Sequence, residues 1–504
     1  MNFAQAMYHE GSTKLTENGA FAYDSTGQGA LLDLFSQIGA LRPRTEQEIR
    51  QKFAAAFNED VLLATKMLFY AGDIRQGGLG ERRTFRLCLN WLAENHPSIV
   101  LKNLELIPYF NRFDSLFVLV GTDCEKAMWE LVAKTLTADV KAMKSSTARK
   151  HVPASLLAKW MPSENASSAQ TCYLANKAIK ALHLNPRTYR KMLSALRKHI
   201  NITERMMSAG EWGKIDYAKV PSYAMHNYGS AFAKHDYERF DTYLKSVKKG
   251  EVKINAGVLY PYDLVEKYMN FRATGTHFGD CYVAHNEDAV VEAQWKALPN
   301  YINEGLNIVA MADVSGSMRG RPMASSIALA IYLAQHNVGA YRNQYMTFTN
   351  EPEFINLREG CSLLEAVQKT ASAGVGYSTN LMKAMNEILR VAVANRVPNS
   401  EMPKAMLVLS DNEIDQYYRP NANWDFMDTL EAKFRAYGYE CPKLILWNIN
   451  ARKDTFLTNR EDVILVSGQS ASTFKSLVNA LNGMTAYDYM VSILNGKAYE
   501  KICV

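Results

Sequence analysis

The chain has 504 residues, with 57 Lys and Arg against 51 Asp and Glu (net charge +6), 48% hydrophobic and 21% charged. A chain of this length holds about three units of roughly 150 residues, and its composition is that of a folded protein, so a small disulfide-stapled scaffold and a disordered or collagen-like chain are excluded. Met1 to Glu10 lacks a basic stretch followed by an apolar one, and no apolar run reaches the roughly 18 residues that span a bilayer, so neither secretion nor membrane insertion is expected.

The cysteines (Cys88, Cys124, Cys172, Cys281, Cys361, Cys441, Cys503) stand singly, are odd in number and form no Cys-x-x-Cys. This pattern fits a reducing, cytoplasmic setting without structural zinc.

From Gly29 to about Tyr268 apolar residues recur at helical spacing, as in Ala30 to Ile38 and Val61 to Phe69. Breaks at Arg75 to Gly80, Asn95-His96-Pro97, Asn185-Pro186 and Val220-Pro221 keep the helices short. After a segment 1–28, residues 29–300 are therefore expected to form an α-helical domain of stacked, HEAT-like pairs, although no strict sequence period marks the repeats.

Charge within this half is uneven. Lys141 to Arg205 holds thirteen Lys and Arg against Glu164 and Glu204, a surplus of +11 that leaves −5 for the rest of the chain. Such a concentration marks a candidate polyanion site. The spacing predicts a helix from Pro186 that carries Arg187, Arg190, Lys191, Arg197 and Lys198, with positions 187, 190, 191, 194 and 198 on one face. Tyr189, Trp160 and Trp212 are candidate base-stacking aromatics. Gly77-Gly78-Leu79-Gly80 with Arg82, Arg83 and Arg86 is a second candidate phosphate contact, through backbone amides and guanidinium groups. Lacking a preceding strand, it is not a nucleotide loop. For any single residue the alternative is a solvated basic face over core aromatics.

From Asn303 onward, apolar strand-like runs (306–312, 345–348, 405–409, 444–449, 463–466) alternate with amphipathic helical patterns (323–335, 363–370, 380–394, 425–437, 473–481). That alternation predicts a doubly wound α/β domain over residues 301–504, with its ligand site at the strand carboxyl ends. Asp313-Val314-Ser315-Gly316-Ser317 follows the first strand, Thr379 opens a helix and Asp411 follows the strand at 405–409. These are hard oxygen donors in loops opening on one edge, and they suit magnesium better than calcium. The alternative reading makes Ser315, Ser317 and Asp411 helix caps.

Asp313-x-Ser315-x-Ser317 with the later Thr379 and Asp411 resembles the metal-ion-dependent adhesion site of von Willebrand factor A domains. The resemblance implies that Asp313, Ser315 and Ser317 bind Mg2+ or another divalent cation. It further implies that Thr379 and Asp411 contact the ion directly or through water, and that a protein partner's carboxylate completes the shell.

Joined to a basic helical half, this arrangement resembles the Ro autoantigen family, whose ring-forming RNA-binding module is called TROVE. Ser410-Asp411-Asn412-Glu413, Leu259-Tyr260-Pro261-Tyr262 and Asp73-Ile74-Arg75-Gln76-Gly77-Gly78-Leu79-Gly80-Glu81-Arg82 carry the likeness. Lys159-Trp160-Met161-Pro162-Ser163, Tyr189-Arg190-Lys191 and Trp212-Gly213-Lys214-Ile215-Asp216-Tyr217 through Val220-Pro221-Ser222 are similar to an uncharacterised Ro-like branch with a C-terminal von Willebrand factor A domain. The resemblance covers nearly the whole chain. It implies a ring of helical repeats closed by the A domain, which binds single-stranded RNA ends and small structured RNAs as a scaffold or quality-control factor.

No nucleophile elbow, His-Glu-x-x-His or Walker loop accompanies the oxygen donors, so no enzymatic activity is expected. Two other readings are a metal-dependent protein-interaction scaffold without RNA, and a magnesium-dependent hydrolase using Glu413 or Asp415 as base.

Overall fold

The computed structural model describes residues 13–147, 150–271, 281–302, 307–347, 352–373, 380–415, 426–481 and 483–504. The chain opens with a hairpin of β1 (Thr13–Leu15) and β2 (Phe21–Tyr23), paired antiparallel. Helices follow as far as Pro261–Tyr268, the α-helices ranging from four residues (Leu157–Trp160) to 21 (Glu125–Ser145). A two-residue ladder of β3 (Met269–Asn270) and β4 (Tyr282–Val283) and the helix Ala289–Lys296 lead into the sheet.

Helix starts follow local chemistry. Thr45 and Glu48 form a capping box on Glu46–Glu59, as do Ser362 and Glu365 on Leu363–Ser372. The basic helix Pro186–His199 begins where predicted, with Asn185 accepting from the Thr188 N–H at 2.8 Å and proline at its first position.

The sheet comprises β5 (Ile308–Ala312), β6 (Gln344–Thr347), β7 (Glu353–Asn356), β8 (Ala405–Ser410), β9 (Lys443–Asn448) and β10 (Ile464–Ser467), in spatial order β7-β6-β5-β8-β9-β10. Every pairing is parallel except β6 with β7. This is the order of a doubly wound sheet with an antiparallel edge strand. β5 and β8 are buried at every residue, which explains their unbroken apolar runs. The five predicted strands are present. The edge strand β7 was not anticipated, because its exposed residues leave only Ile355 buried.

One buried cluster runs from Ala20 to Ile502 and joins the helical half to the sheet. The helix Arg321–His336 is buried from Met323 through Ala334 and packs against both the sheet and Pro261–Tyr268. The crossover from β9 to β10 takes its cover from the N-terminal half. Ala451 N–H donates to Ala40 O at 3.0 Å, Arg44 Nε donates to Ala451 O at 2.7 Å, and Asp454 pairs with Arg44 and Lys52. A Cβ on Gly39 would lie 2.6 Å from Gly468 Cα, so this approach of two backbones requires glycine. A satellite cluster around Tyr217, Phe232, Phe240 and Tyr243 holds the helices Ser222–His235 and Tyr237–Lys248. Among the described residues, no helix is long and apolar enough to cross a membrane, and the seven cysteines are free thiols.

Candidate metal centre and nucleic-acid interface

β5 and β8 are parallel neighbours at the point where strand order reverses, so Asp313 and Asp411, each the residue after its strand, meet at the crevice where such sheets hold ligands. Asp313 is fully buried; its Oδ1 accepts from the Ser315 N–H at 2.9 Å and its Oδ2 from the Ser410 hydroxyl at 2.8 Å. The Ser315 and Ser317 hydroxyls lie 3.1 Å apart. Asp411 Oδ1 accepts from the Glu413 N–H at 3.1 Å, and its Oδ2 from Arg452 Nη2 at 2.9 Å. Asn412 turns the loop at φ 66°, a conformation asparagine tolerates.

Burial first, then the neighbouring Asp411 carboxylate, raises the Asp313 carboxyl above its ordinary range. Two buried carboxylates and two hydroxyls here share one half-buried guanidinium that touches only Asp411 among them. The donor chemistry and the charge deficit fit a small hard cation. Among the described residues no group of three or more His, Cys, Asp or Glu is arranged to hold a metal, so hydroxyls are needed to complete any shell here. Thr379 lies outside the described residues.

The N-terminal hairpin clamps this loop. Glu413, a candidate base in the hydrolase reading, accepts from Thr455 Oγ1 and from the Glu17 N–H, each at 2.6 Å. Thr16 Oγ1 donates to Ile414 O at 2.6 Å, and Arg452 bonds both Glu17 carboxylate oxygens, at 3.2 and 2.8 Å. Sequence reasoning missed Arg452 and Glu17. They lie 41 and 394 residues from Asp411, and no local pattern links them.

In the helical half, Arg187, Arg190, Lys191, Ser194 and Lys198 are all exposed on one face of Pro186–His199. Arg197 departs from the expectation: it points inward, donating to Ala158 O at 2.9 Å, Met161 O at 2.8 Å and Ser163 Oγ at 3.1 Å. Tyr189 is also no stacking platform, being fully buried with its hydroxyl on Pro162 O at 2.7 Å. These residues share the helix's inner face with Leu193 and Leu196. A cleft of about 700 Å³ opens beside the helix, lined by Lys159, Arg190, Arg197 and Arg205 with Glu164 and Glu204 among others.

The aromatic candidates are already partnered. Trp160 carries the Arg112 guanidinium 3.8 Å from its ring centre, and Trp212 stacks on His235 at 4.4 Å. The glycine-rich turn cannot cradle a phosphate as expected, because the buried Asp73 carboxylate already accepts from the Arg75, Gln76 and Gly78 N–H groups at 2.8, 2.9 and 3.0 Å. Arg82 and Arg83 are exposed, and Arg83 donates to Arg44 O at 3.0 Å.

Residues 16–112 and 126–305, together more than half of the chain, match a family model described as a domain of unknown function (DUF2828). The chain belongs to the DUF2828 family. Residues 307–492 match a second model, also described as a domain of unknown function (DUF7788). A relative, uncharacterized protein L728 of Acanthamoeba polyphaga mimivirus, is 28% identical over 501 residues, covering 92% of this chain and 84% of the relative. Among solved structures, the Deinococcus radiodurans RO (RSR) protein is similar at 15% identity over 93% of each chain, with a TM-score of 0.33.

Proposed function

We propose that this DUF2828 protein is a non-enzymatic, Ro-like, cytoplasmic RNA-binding protein. Its helical half, read as a HEAT-like, ring-closing TROVE-like module, holds small structured RNA or RNA with a single-stranded end as a scaffold or quality-control factor. The observation that carries this reading is the exposed row of Arg187, Arg190, Lys191 and Lys198 beside a cleft of about 700 Å³. Four cations on one helix face, without acidic partners among the described residues except for the Arg190–Glu164 pair, match the repeat of a phosphate backbone better than a single acidic side chain.

The α/β half is read as a von Willebrand factor A-like domain whose Asp313, Ser315, Ser317 and Asp411, with Thr379, would hold magnesium or another divalent cation. Bound there, the cation would offer an open position to a carboxylate of a protein partner. Asp313 and Asp411 supply the negative charge, and Ser410 and Arg452 orient them.

Charge reversal of the exposed row tests the RNA reading. Purified, nuclease-treated protein should bind a single-stranded RNA with steep salt dependence, and the double variant Arg187→Glu, Lys191→Glu should lose that binding. Unchanged affinity in the variant would remove the proposed face. Protein capture that depends on Asp313, with no RNA binding at low salt, would favour the scaffold reading.

A further inference from the structure

A second concentration of positive charge lies where two distant parts of the chain meet. Arg82 and Arg86 stand one turn apart at the start of the helix Arg82–Asn95, and Arg112 precedes the short helix Phe113–Leu119. Two of the three guanidiniums hold one carboxylate. Asp114 pairs with Arg86 Nη2 at 2.8 Å and takes a two-pronged contact from Arg112, through Nε at 3.0 Å and through Nη2. Arg82 is left over: among the described residues it makes no hydrogen bond or ion pair. Burial first, then Arg112 and Arg86, lower its pKa.

The neighbouring chain adds an aromatic platform and a further cation, Lys159, which pairs with Glu204 at 3.8 Å. Trp160 carries the Arg112 guanidinium 3.8 Å from its ring centre, and Lys159 Nζ lies 5.6 Å from the same ring centre. Glu81, which caps the helix, makes no side-chain bond to its first turn and instead gives both carboxylate oxygens to Arg42. Folding has left three guanidiniums beside one carboxylate, next to the Lys159–Glu204 pair. A planar guanidinium fork matches the oxygens of a phosphate, which could face several forks at once.

We propose that Arg82, Arg86 and Arg112 form a phosphate-binding site that takes a backbone phosphate of single-stranded RNA, with Asp114 holding Arg86 and Arg112 in place. This rests on the RNA reading above and extends it. Lys159, near the Trp160 ring that carries Arg112, also lines the cleft beside Pro186–His199, which places the triad close to that cleft.

The test uses the full chain and a labelled single-stranded RNA, with binding followed by anisotropy across a salt series and with inorganic phosphate and pyrophosphate as competitors. Arg82→Gln, a substitution at an exposed position, should weaken RNA binding about tenfold and flatten the log-log salt slope by about 0.7, the share of one phosphate on a single strand. Asp114→Asn keeps an oxygen to accept from the guanidiniums but removes the competing charge, so it should strengthen binding several-fold, a change opposite in sign to that of a damaged fold; weaker binding would contradict the proposal. Pyrophosphate should compete with RNA in the wild type and lose that effect in Arg82→Gln.

If Arg82→Gln keeps wild-type affinity and slope while Arg187→Glu, Lys191→Glu loses binding, the triad is not a contact and the RNA reading stands. If pyrophosphate binds in an Arg82-dependent way but RNA does not bind at all, the site serves a free phosphate and both the RNA source and the RNA reading fall.

Discussion

Arg452 and Asp411 are joined at the candidate metal centre, Nη2 to Oδ2 at 2.9 Å, and the same guanidinium grips Glu17 of the N-terminal hairpin. A divalent cation at Asp411 would compete with this guanidinium for negative charge. Magnesium should therefore raise the melting temperature of the wild type, and at a hundredfold excess over Kd the gain is about 2.7 kcal/mol. Arg452→Ala should bind the cation more tightly, and Asp313→Ala should show no cation-dependent shift in a thermal melt. A shift that persists undiminished in Asp313→Ala would place the cation elsewhere.

Arg197 and Lys198 separate architecture from surface on one helix. Arg197 satisfies two backbone carbonyls and a hydroxyl under the basic face, whereas Lys198 is exposed. Arg197→Ala should cost about 2 kcal/mol in denaturant unfolding by orphaning those acceptors, while Lys198→Ala should stay within about 0.5 kcal/mol. Equal stability of the two variants would contradict the anchoring role.

Asp73 stands in for an external anion inside the glycine-rich turn, and it also accepts from Tyr499 Oη at 2.9 Å. Asp73→Ala should destabilise the protein by about 3 kcal/mol, because it strips a buried acceptor from three amides and a tyrosine hydroxyl. Retention of wild-type stability, read by thermal or chemical unfolding, would show that the turn holds without its internal carboxylate.

Acid should weaken the fold partly through His226. Burial, and then Lys267, lower its pKa from 6.5 to about 4, against the favourable contacts of Gln294 and Asp288. Because the folded value lies below the free one, the fold prefers the neutral ring. Its contribution is intact above about pH 6.5 and is lost as the pH falls toward 4. His226→Gln should lose less stability than the wild type over that window. Parallel pH profiles for the two proteins would remove His226 from the acid response.

Much of the α/β half was legible in the sequence, because fully buried strands such as β5 and β8 show as unbroken apolar runs and the helices between them are amphipathic. The Asp313 and Asp411 loops were legible for the same reason, since each directly follows one of those runs. The edge strand β7 was not, having a single buried residue. The basic face at Arg187, Arg190, Lys191 and Lys198 followed from helical spacing and capping. Arg197 did not, because periodicity assigns a residue to a face and does not reveal which carbonyls wait beneath it. Arg452 with Asp411 and Arg112 with Trp160 are pairs made by tertiary folding alone.

RNA binding is tested most directly by anisotropy of a structured RNA carrying a single-stranded 3′ tail. It should be run across a salt titration, with magnesium and with chelator, against a tailless duplex control. The expected result is tail-dependent binding that weakens steeply with salt, by about 0.7 log units in affinity per log unit of salt for each phosphate engaged, and that survives chelation. No binding of the tailed RNA at low salt would contradict it.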